Sequence, residues 1–174
     1  GTFEGNGYTI YDLEFAEEST GLFGMIGQNA SIKRISFVNL VHTGWYGAFA
    51  AVQCGGIIQD IYMQISMTTK NKTDIPTTEI FLTADEIAAD ASLSSMTALS
   101  DTAKEQYRRS AALVSCAYKD AECLRILVEY KKFETWDTSV NGRYGSIYAV
   151  LEGINEGKSR LTNLCAIGTP SQWV

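Results

Sequence analysis

A short apolar pattern that recurs along the chain is the feature that most restricts its fold. Each copy places apolar residues at positions i, i+3 and i+5. The five copies are Ile10/Leu13/Phe15, Ile32/Ile35/Phe37, Ile58/Ile61/Met63, Cys123/Ile126/Val128 and Leu161/Leu164/Ala166. A strand this short has no core of its own and must stack on other copies to bury its apolar side chains. The pattern therefore predicts an all-β chain built as a solenoid.

A second set of apolar residues precedes four of these strands. Its members are the pairs Phe23/Ile26, Phe49/Val52, Leu113/Cys116 and Ile147/Val150. A small residue lies two positions before each pair, at Gly21, Gly47, Ala111 and Gly145. Glycine suits a bend because it tolerates positive φ. The second set thus predicts a second stack of strands, entered through tight bends.

Composition and charge exclude several kinds of partner. The 174 residues are 45% hydrophobic and 20% charged, which is enough for one folded domain over residues 1–174. The net charge is −6, and no basic stripe exists to bind phosphates, so we expect no nucleic-acid partner. No apolar run is long enough for a membrane span. The chain opens in mid-pattern, and we expect it to be a fragment of a longer protein.

Two glycine-rich segments carry a resemblance to a known family. The phrase GTFEGNGYTIYDL at 1–13 and the phrase GLFGMIGQNASIKRI at 21–35 resemble the GLUG-type repeats of large bacterial surface proteins. The resemblance is good over residues 1–65 and weak over 110–174. It implies a right-handed parallel β-helix, here of about five coils, in a secreted or cell-surface adhesin. It implies no catalytic residue and no cofactor.

One column of polar residues accompanies the repeat. The residue before the second apolar position of each copy forms what we call the charge column: Asp12, Arg34, Asp60, Arg125 and Asn163. Stacking in sequence order would alternate opposite charges at the inter-strand spacing and so favour the correct register. We interpret the column as structural. The alternative is that Asp12, Arg34 and Asp60 form a sugar-binding or acid–base site.

The interval between the third and fourth copies is too long for one coil. It predicts an insertion over residues 68–110 that protrudes from the solenoid. Capping signals at Thr83 with Glu86, and at Asp101, predict one or two short helices there. An insertion on a rigid scaffold can hold a binding site or can be a tolerated loop.

Catalytic and metal-binding motifs are absent from the sequence. His42 is the only histidine, so multi-histidine metal sites are excluded, and no phosphate loop or nucleophile elbow is present. Cys116 and Cys123 occupy apolar positions, which favours buried thiols over disulfides, with Cys54 and Cys165 completing the set. Four carboxylates, Asp12, Asp60, Asp120 and Glu122, leave a polysaccharide lyase or hydrolase as the alternative function.

Aromatic residues at the predicted bends are the candidate ligand-binding residues. They are Trp45, Tyr46, Trp136 and Tyr144, with Arg143 beside the last of them. Aromatic rings can stack on sugar faces, although the same rings can pack under the insertion. The sequence therefore predicts a non-catalytic extracellular module that acts as a stalk or displays a site for a glycan or a host or matrix protein.

Overall fold

A computed structural model of the chain describes residues 1–15, 21–44, 46–69, 88–89, 111–118, 120–134, 148–151 and 159–168. The strands in these ranges are β1 (Thr2–Glu4), β2 (Thr9–Tyr11), β3 (Glu14–Phe15), β4 (Phe23–Ile26), β5 (Ser31–Gly44), β6 (Ala50–Cys54), β7 (Ile57–Thr69), β8 (Val114–Tyr118), β9 (Glu122–Glu134), β10 (Tyr148–Leu151) and β11 (Arg160–Ile167). Helix is confined, among the described residues, to 88–89. The predicted all-β composition is confirmed.

The strands form two sheets in which every pair is parallel. The larger sheet has the order β1, β5, β7, β9, β11, with β2 and β3 also pairing with β5. The smaller sheet has the order β4, β6, β8, β10. From β4 onward the chain alternates between the two sheets, so each new strand lies beside the one that preceded it in the same sheet. Parallel pairing of this kind requires a crossover between successive strands, and the other sheet supplies it.

Four of the five copies of the repeat lie in register. Ile32, Ile58, Cys123 and Leu161 are successive partners across β5, β7, β9 and β11. Phe37, Met63, Val128 and Ala166 form a second such row. The i, i+3, i+5 spacing therefore marks equivalent positions of stacked strands.

The first copy is displaced from the position that the spacing predicted. Ile10 pairs with Phe37, whereas the partner of Ile32 is Phe3. The strand β5 contains the repeat twice, because Phe37, Leu40 and His42 have the same spacing as Ile32, Ile35 and Phe37. A histidine at the last position hid this second copy in the sequence.

The smaller sheet also differs from prediction at its first strand. Val52, Cys116 and Val150 are aligned as the pairs of the second set predicted. Met25, and not Ile26, is the partner of Val52. Ile26 lies beside Gln53, one residue further along.

Among the described residues, an apolar core lies between the two sheets. Phe37, Ile58 and Met63 of the larger sheet belong to one cluster of buried side chains with Phe49 and Leu113, which directly precede β6 and β8 of the smaller sheet. Phe49 contacts Phe37, with ring centroids 5.9 Å apart. All five residues of β6 are buried, so both faces of the smaller sheet are covered there. The two sheets are thus held by one shared hydrophobic core.

The structure describes the side chains of three of the four cysteines and the beginning of the predicted insertion. Cys54 and Cys123 are buried, and Cys165 is exposed. The strand β7 continues through Thr69, so the predicted insertion at 68–110 starts within a strand. Apart from 88–89, the remainder of that insertion lies outside the described residues.

Candidate functional site

Every residue of the charge column has a left-handed backbone conformation. The φ angles are 55° for Asp12, 55° for Arg34, 58° for Asp60, 53° for Arg125 and 56° for Asn163. Side chains that share one face of a regular strand are two residues apart. A single left-handed residue bends the strand and inserts one position, so the next inward side chain comes three residues later. This bend explains why the first and second apolar positions of each repeat are three residues apart.

Two members of the charge column, Asp60 and Arg125, form an ion pair between adjacent strands of the larger sheet, whereas Arg34 pairs with Glu4, which lies outside the column. Nε of Arg125 lies 2.5 Å from Oδ1 of Asp60, and Nη2 donates to Oδ2 at 2.9 Å. On the other side, Nε of Arg34 donates to Oε1 of Glu4 at 2.9 Å. The bends at Arg34, Asp60 and Arg125 are thus supported from a neighbouring strand by charged hydrogen bonds.

Asp12 is not stacked with the other members of the charge column in the structure. The first copy pairs one bend further along β5, so Asp12 lies beside Asn39, whose φ is 58°. Nδ2 of Asn39 donates to Oδ1 of Asp12 at 3.1 Å. The expected neighbour pair of Asp12 and Arg34 is therefore wrong, and with it the alternative of one site formed by Asp12, Arg34 and Asp60.

The ion pairs keep the carboxylates ionised. The hydrogen bond from Arg125 lowers the pKa of Asp60 to about 2, and the hydrogen bond from Arg34 lowers the pKa of Glu4. The same bonds raise the pKa of Arg125 and of Arg34. A general acid needs a carboxyl group with a raised pKa. These carboxylates are suited to structural pairing and not to proton donation.

A cluster of polar side chains on the outer side of the larger sheet was not predicted from the sequence. We call it the Tyr62 cluster; it comprises Tyr62 and Gln64 on β7 with Glu129 and Lys131 on β9. Oε2 of Glu129 accepts hydrogen bonds from the Tyr62 hydroxyl at 2.7 Å and from Nε2 of Gln64 at 3.3 Å. Nζ of Lys131 lies 2.8 Å from Oε1 of Glu129. These bonds fix the direction of the Tyr62 side chain.

The pKa shifts within the Tyr62 cluster have the directions that these hydrogen bonds predict. The pKa of Glu129 is lowered to about 2 by its bonds with Lys131, Tyr62 and Gln64. The pKa of Tyr62 is raised, chiefly because its hydroxyl donates to that carboxylate. The sequence does show that Tyr62 and Gln64, two residues apart after the bend at Asp60, share the outward face of the strand. Outward polar residues are common on strands, however, so this spacing alone does not identify a binding site.

The only histidine is part of the core. His42 is fully buried, and its Nε2 lies 2.8 Å from the carbonyl oxygen of Tyr46. Its Nδ1 has no hydrogen-bond partner, and the ring lies edge-on to Phe15 at 6.1 Å. Burial lowers the pKa of His42 to about 4. A neutral, enclosed imidazole of this kind cannot reach a substrate in solution.

One of the predicted ligand-binding aromatics is described, and it is not exposed. Tyr46 is buried, with 5% of its surface accessible, which corrects the prediction that its ring is available to stack on a sugar. The other four candidates, Trp45, Trp136, Arg143 and Tyr144, lie outside the described residues.

The described residues form neither a metal-binding cluster nor a membrane-spanning helix. The described ranges contain no group of three or more histidine, cysteine, aspartate or glutamate side chains placed to hold a metal ion. No helix within those ranges has the length and apolar character needed to cross a bilayer.

Comparison of the chain with protein-family models, with curated proteins and with solved structures finds no match.

Proposed function

We propose that this chain is a non-catalytic module of an extracellular surface protein, an adhesin-like stalk that displays a ligand-binding face. Its two sheets are proposed to be faces of a right-handed parallel β-helix of about five coils. The observation that carries the proposal is the register of β5, β7, β9 and β11, in which equivalent residues stack strand upon strand. Such a stack is extended, rigid and well suited to present side chains at fixed spacing.

The glycine-rich phrase near the start supports the proposed relationship to GLUG-type repeats. Asn6 and Gly7 both have positive φ, at 52° and 77°. A Cβ on Gly5 would lie 2.5 Å from the carbonyl oxygen of Arg34, so only glycine fits beside that bend. The Gly-Asn-Gly phrase therefore has a structural purpose where β1 leads into β2, as expected of a repeat that specifies architecture.

Two features support a non-catalytic role over a polysaccharide lyase or hydrolase. Among the described carboxyl groups, those whose pKa departs clearly from its usual value, Glu4, Asp60 and Glu129, are all shifted down. The histidine is enclosed and neutral. Glycoside cleavage commonly uses a carboxyl group that holds its proton near neutral pH, which is the opposite arrangement.

We place the displayed site at the Tyr62 cluster, and its ligand class is a glycan or a host or matrix protein. Tyr62 is half-buried, so part of its ring faces solvent while its hydroxyl is held by Glu129. Leu127 lies beside Tyr62 in the adjacent strand, and the amide of Gln64 lies two residues further along β7. An aromatic face flanked by amide and carboxylate groups suits a sugar ring, whose two sides are apolar and whose rim is hydroxylated.

The test is binding of the purified chain to a panel of glycans and extracellular-matrix proteins. The variant is Tyr62→Ala, and the matched control is Tyr8→Ala, because Tyr8 is a more exposed tyrosine outside the cluster, separated from Tyr62 by β5, with 74% of its surface accessible. We expect binding that is lost in Tyr62→Ala and kept in Tyr8→Ala. Release of shortened or unsaturated sugar products would instead support the enzyme. Binding that Tyr62→Ala leaves unchanged would show that the ligand does not bind at the Tyr62 cluster.

A further inference from the structure

An asparagine followed by a glycine lies in the turn between β1 and β2. Asn6 and Gly7 have φ angles of 52° and 77°, and the backbone nitrogen of Tyr8 donates to the carbonyl oxygen of Gly5 at 2.9 Å. Two successive positive φ angles closed by such a bond are the features of a type I′ turn, in which asparagine followed by glycine is preferred. We call residues 5–8 the β1–β2 turn. Its asparagine and the glycine after it also have a chemical reactivity of their own.

Asparagine can react with the backbone nitrogen of the residue that follows it. In this reaction the Gly7 nitrogen attacks Cγ of Asn6, a C–N bond closes a five-membered succinimide ring, and the side-chain amide leaves as ammonia with the proton of that nitrogen. Water then opens the ring at either carbonyl group. One product is aspartate, and the other is isoaspartate, whose backbone is longer by one methylene group. A following glycine favours ring closure because no Cβ crowds the attacking nitrogen.

The native turn keeps the attacking nitrogen engaged. The Gly7 nitrogen donates to the carbonyl oxygen of Arg34 at 2.8 Å, and the Gly5 nitrogen donates to that of Lys33 at 2.8 Å. These bonds hold the turn against β5. A planar five-membered ring requires the Gly7 nitrogen to lie on the same side as Cβ of Asn6, and the left-handed conformation of a type I′ turn holds the two apart. Ring closure therefore requires the turn to open.

The Glu4 carboxylate supports the closed turn. Its Oε1 accepts hydrogen bonds from Nε of Arg34 at 2.9 Å and from the backbone nitrogen of Asn6 at 3.1 Å. The bond from Arg34, followed by the bond from Asn6, lowers the pKa of Glu4, so the carboxylate is ionised at neutral pH. It binds the nitrogen of Asn6 and not the attacking nitrogen of Gly7. In the closed turn Glu4 is thus a support and not a base for the reaction.

The two products differ in how well they fit the native turn. A Cβ on Gly5 would lie 2.5 Å from the carbonyl oxygen of Arg34, so the turn approaches β5 closely. The longer backbone of isoaspartate would displace Gly7 from the carbonyl group that it binds. Aspartate keeps the normal backbone length and tolerates positive φ. Only the isoaspartate product should therefore disrupt the turn.

We propose that Asn6 is a spontaneous modification site, protected while the β1–β2 turn is closed and converted to aspartate and isoaspartate when the turn opens. The reaction consumes only water and releases ammonia. Because isoaspartate does not fit the native turn, its formation prevents the turn from closing again. The modified fraction therefore increases with the time that the turn has spent open, so local opening is recorded as a covalent change.

Peptide mapping by mass spectrometry tests the protection of Asn6. One sample of the unmodified chain is kept folded, and the other is kept at the same pH in enough urea to unfold it. We expect Asn6 to be converted at least about tenfold more slowly in the folded sample. Equal rates in the two samples overturn the proposal, and so does an unreactive Asn6 in urea.

Two other asparagines are internal controls for the sample in urea. Asn141 also precedes a glycine and should react at a rate similar to that of Asn6. Asn39 precedes Leu40, whose side chain crowds the attacking nitrogen, and should react much more slowly. If Asn39 reacted as fast as Asn6, the following glycine would not be the cause of the reactivity, and the proposal would be wrong.

The Glu4→Ala variant tests the support of the turn. It removes both hydrogen bonds of that carboxylate, whereas the matched control Glu14→Ala removes an exposed carboxylate on β3. Circular dichroism establishes that both variants are folded. We expect the folded Glu4→Ala variant to convert Asn6 at least about threefold faster than the unmodified chain, and Glu14→Ala to keep the original rate. The same rate in both variants would contradict protection by the closed turn.

The effect of the modification on the fold is measured separately. Chromatography isolates the isoaspartate form of the chain, and the Asn6→Asp variant supplies the aspartate form with a normal backbone. Urea unfolding should give a lower free energy of unfolding for the isoaspartate form than for Asn6→Asp. Equal free energies would show that the turn accepts the longer backbone, and would overturn the inference that the modified turn cannot close.

Discussion

The Arg125 guanidinium forms two hydrogen bonds with the Asp60 carboxylate, at 2.5 and 2.9 Å, although 65 residues separate them in the sequence. Both residues have positive φ, at 53° and 58°. The pair therefore links two strand bends on adjacent strands, β7 and β9. A slip of either strand by one residue would break the ion pair and also place a bend beside a straight segment, so charge and backbone shape specify the same register.

A double-mutant cycle should detect this pair. We expect Asp60→Asn and Arg125→Asn, both of which tolerate left-handed φ, to show a small but measurable stabilising coupling in urea unfolding, as exposed pairs with good geometry do. The matched control is Lys132 with Glu134, a pair 2.9 Å apart on one strand whose side chains are both more than half exposed. That pair should show almost no coupling. Equal coupling energies in the two cycles would show that the left-handed bends do not strengthen the ion pair.

The Asp60 pair should also weaken in acid. The folded-state pKa of Asp60 is lowered from 3.8 to about 2 by Arg125, so its contribution to stability is complete above pH 3.8. Folding of the chain should lose that contribution as the pH falls from about 4 through about 2. The Arg125→Asn variant should lose less stability over the same interval in urea unfolding measured at each pH. Identical losses in both proteins would assign the acid sensitivity to other groups.

The backbone conformation of the bends predicts which substitutions they accept. A β-branched residue is strongly disfavoured at positive φ, whereas asparagine is tolerated. At position 125 we therefore expect Arg125→Val to be less stable than Arg125→Asn by about 1–2 kcal/mol. Both variants remove the ion pair, so their difference in unfolding free energy isolates the backbone term. Equal stabilities would contradict a left-handed bend at this position.

The spacing of the repeat was sufficient to predict stacked strands, but not the full register. Spacing identified Ile32, Ile58, Cys123 and Leu161 as equivalent because short-range apolar periodicity reports which side chains face inward. It misplaced Ile10 because β5 contains two bends and the second ends at His42, a polar residue in an apolar position. Periodicity cannot recognise a position whose burial depends on tertiary packing.

The candidate site was less predictable than the fold. Tyr46 was assigned as an exposed bend aromatic, yet it is buried beside His42. The Tyr62 cluster depends on contacts between β7 and β9 across the 68–110 segment, and the length of an intervening segment contains no information about which side chains will meet. Sequence spacing thus predicted local geometry, whereas the polar group on the sheet face required the three-dimensional pairing.

Two glycines with similar φ angles allow the cost of a strained backbone to be measured separately from the cost of steric crowding. Gly7 has a φ of 77° and open space around it, while Gly56 has a φ of 71° and a Cβ there would lie 2.5 Å from the carbonyl oxygen of Gly27. Gly7→Ala should cost about 1 kcal/mol through φ alone. Gly56→Ala should cost a further 1–3 kcal/mol, roughly, because the carbonyl cannot move away easily. Similar unfolding free energies for the two variants would show that the turn at Gly56 adjusts.

The buried histidine should make folding stability depend on pH. His42 has a pKa of about 4 in the folded protein against 6.5 when solvated, because its enclosed ring resists charging and Nδ1 has no acceptor for an added proton. The unfolded chain therefore binds a proton first, and stability is lost as the pH falls from about 6.5 to about 4. The loss over this interval amounts to about 3 kcal/mol for a shift of this size. Urea unfolding at a series of pH values measures it.

The control for the histidine is His42→Gln, which keeps a side-chain donor near the carbonyl oxygen of Tyr46 but does not titrate. This variant should be less stable than the unmodified chain at pH 7, since glutamine fills the space beside Phe15 less well. Its stability should nevertheless change little between pH 6.5 and 4, so the two curves converge in acid. Parallel curves would show that another group titrates in this interval and that His42 takes up a proton without cost to the fold.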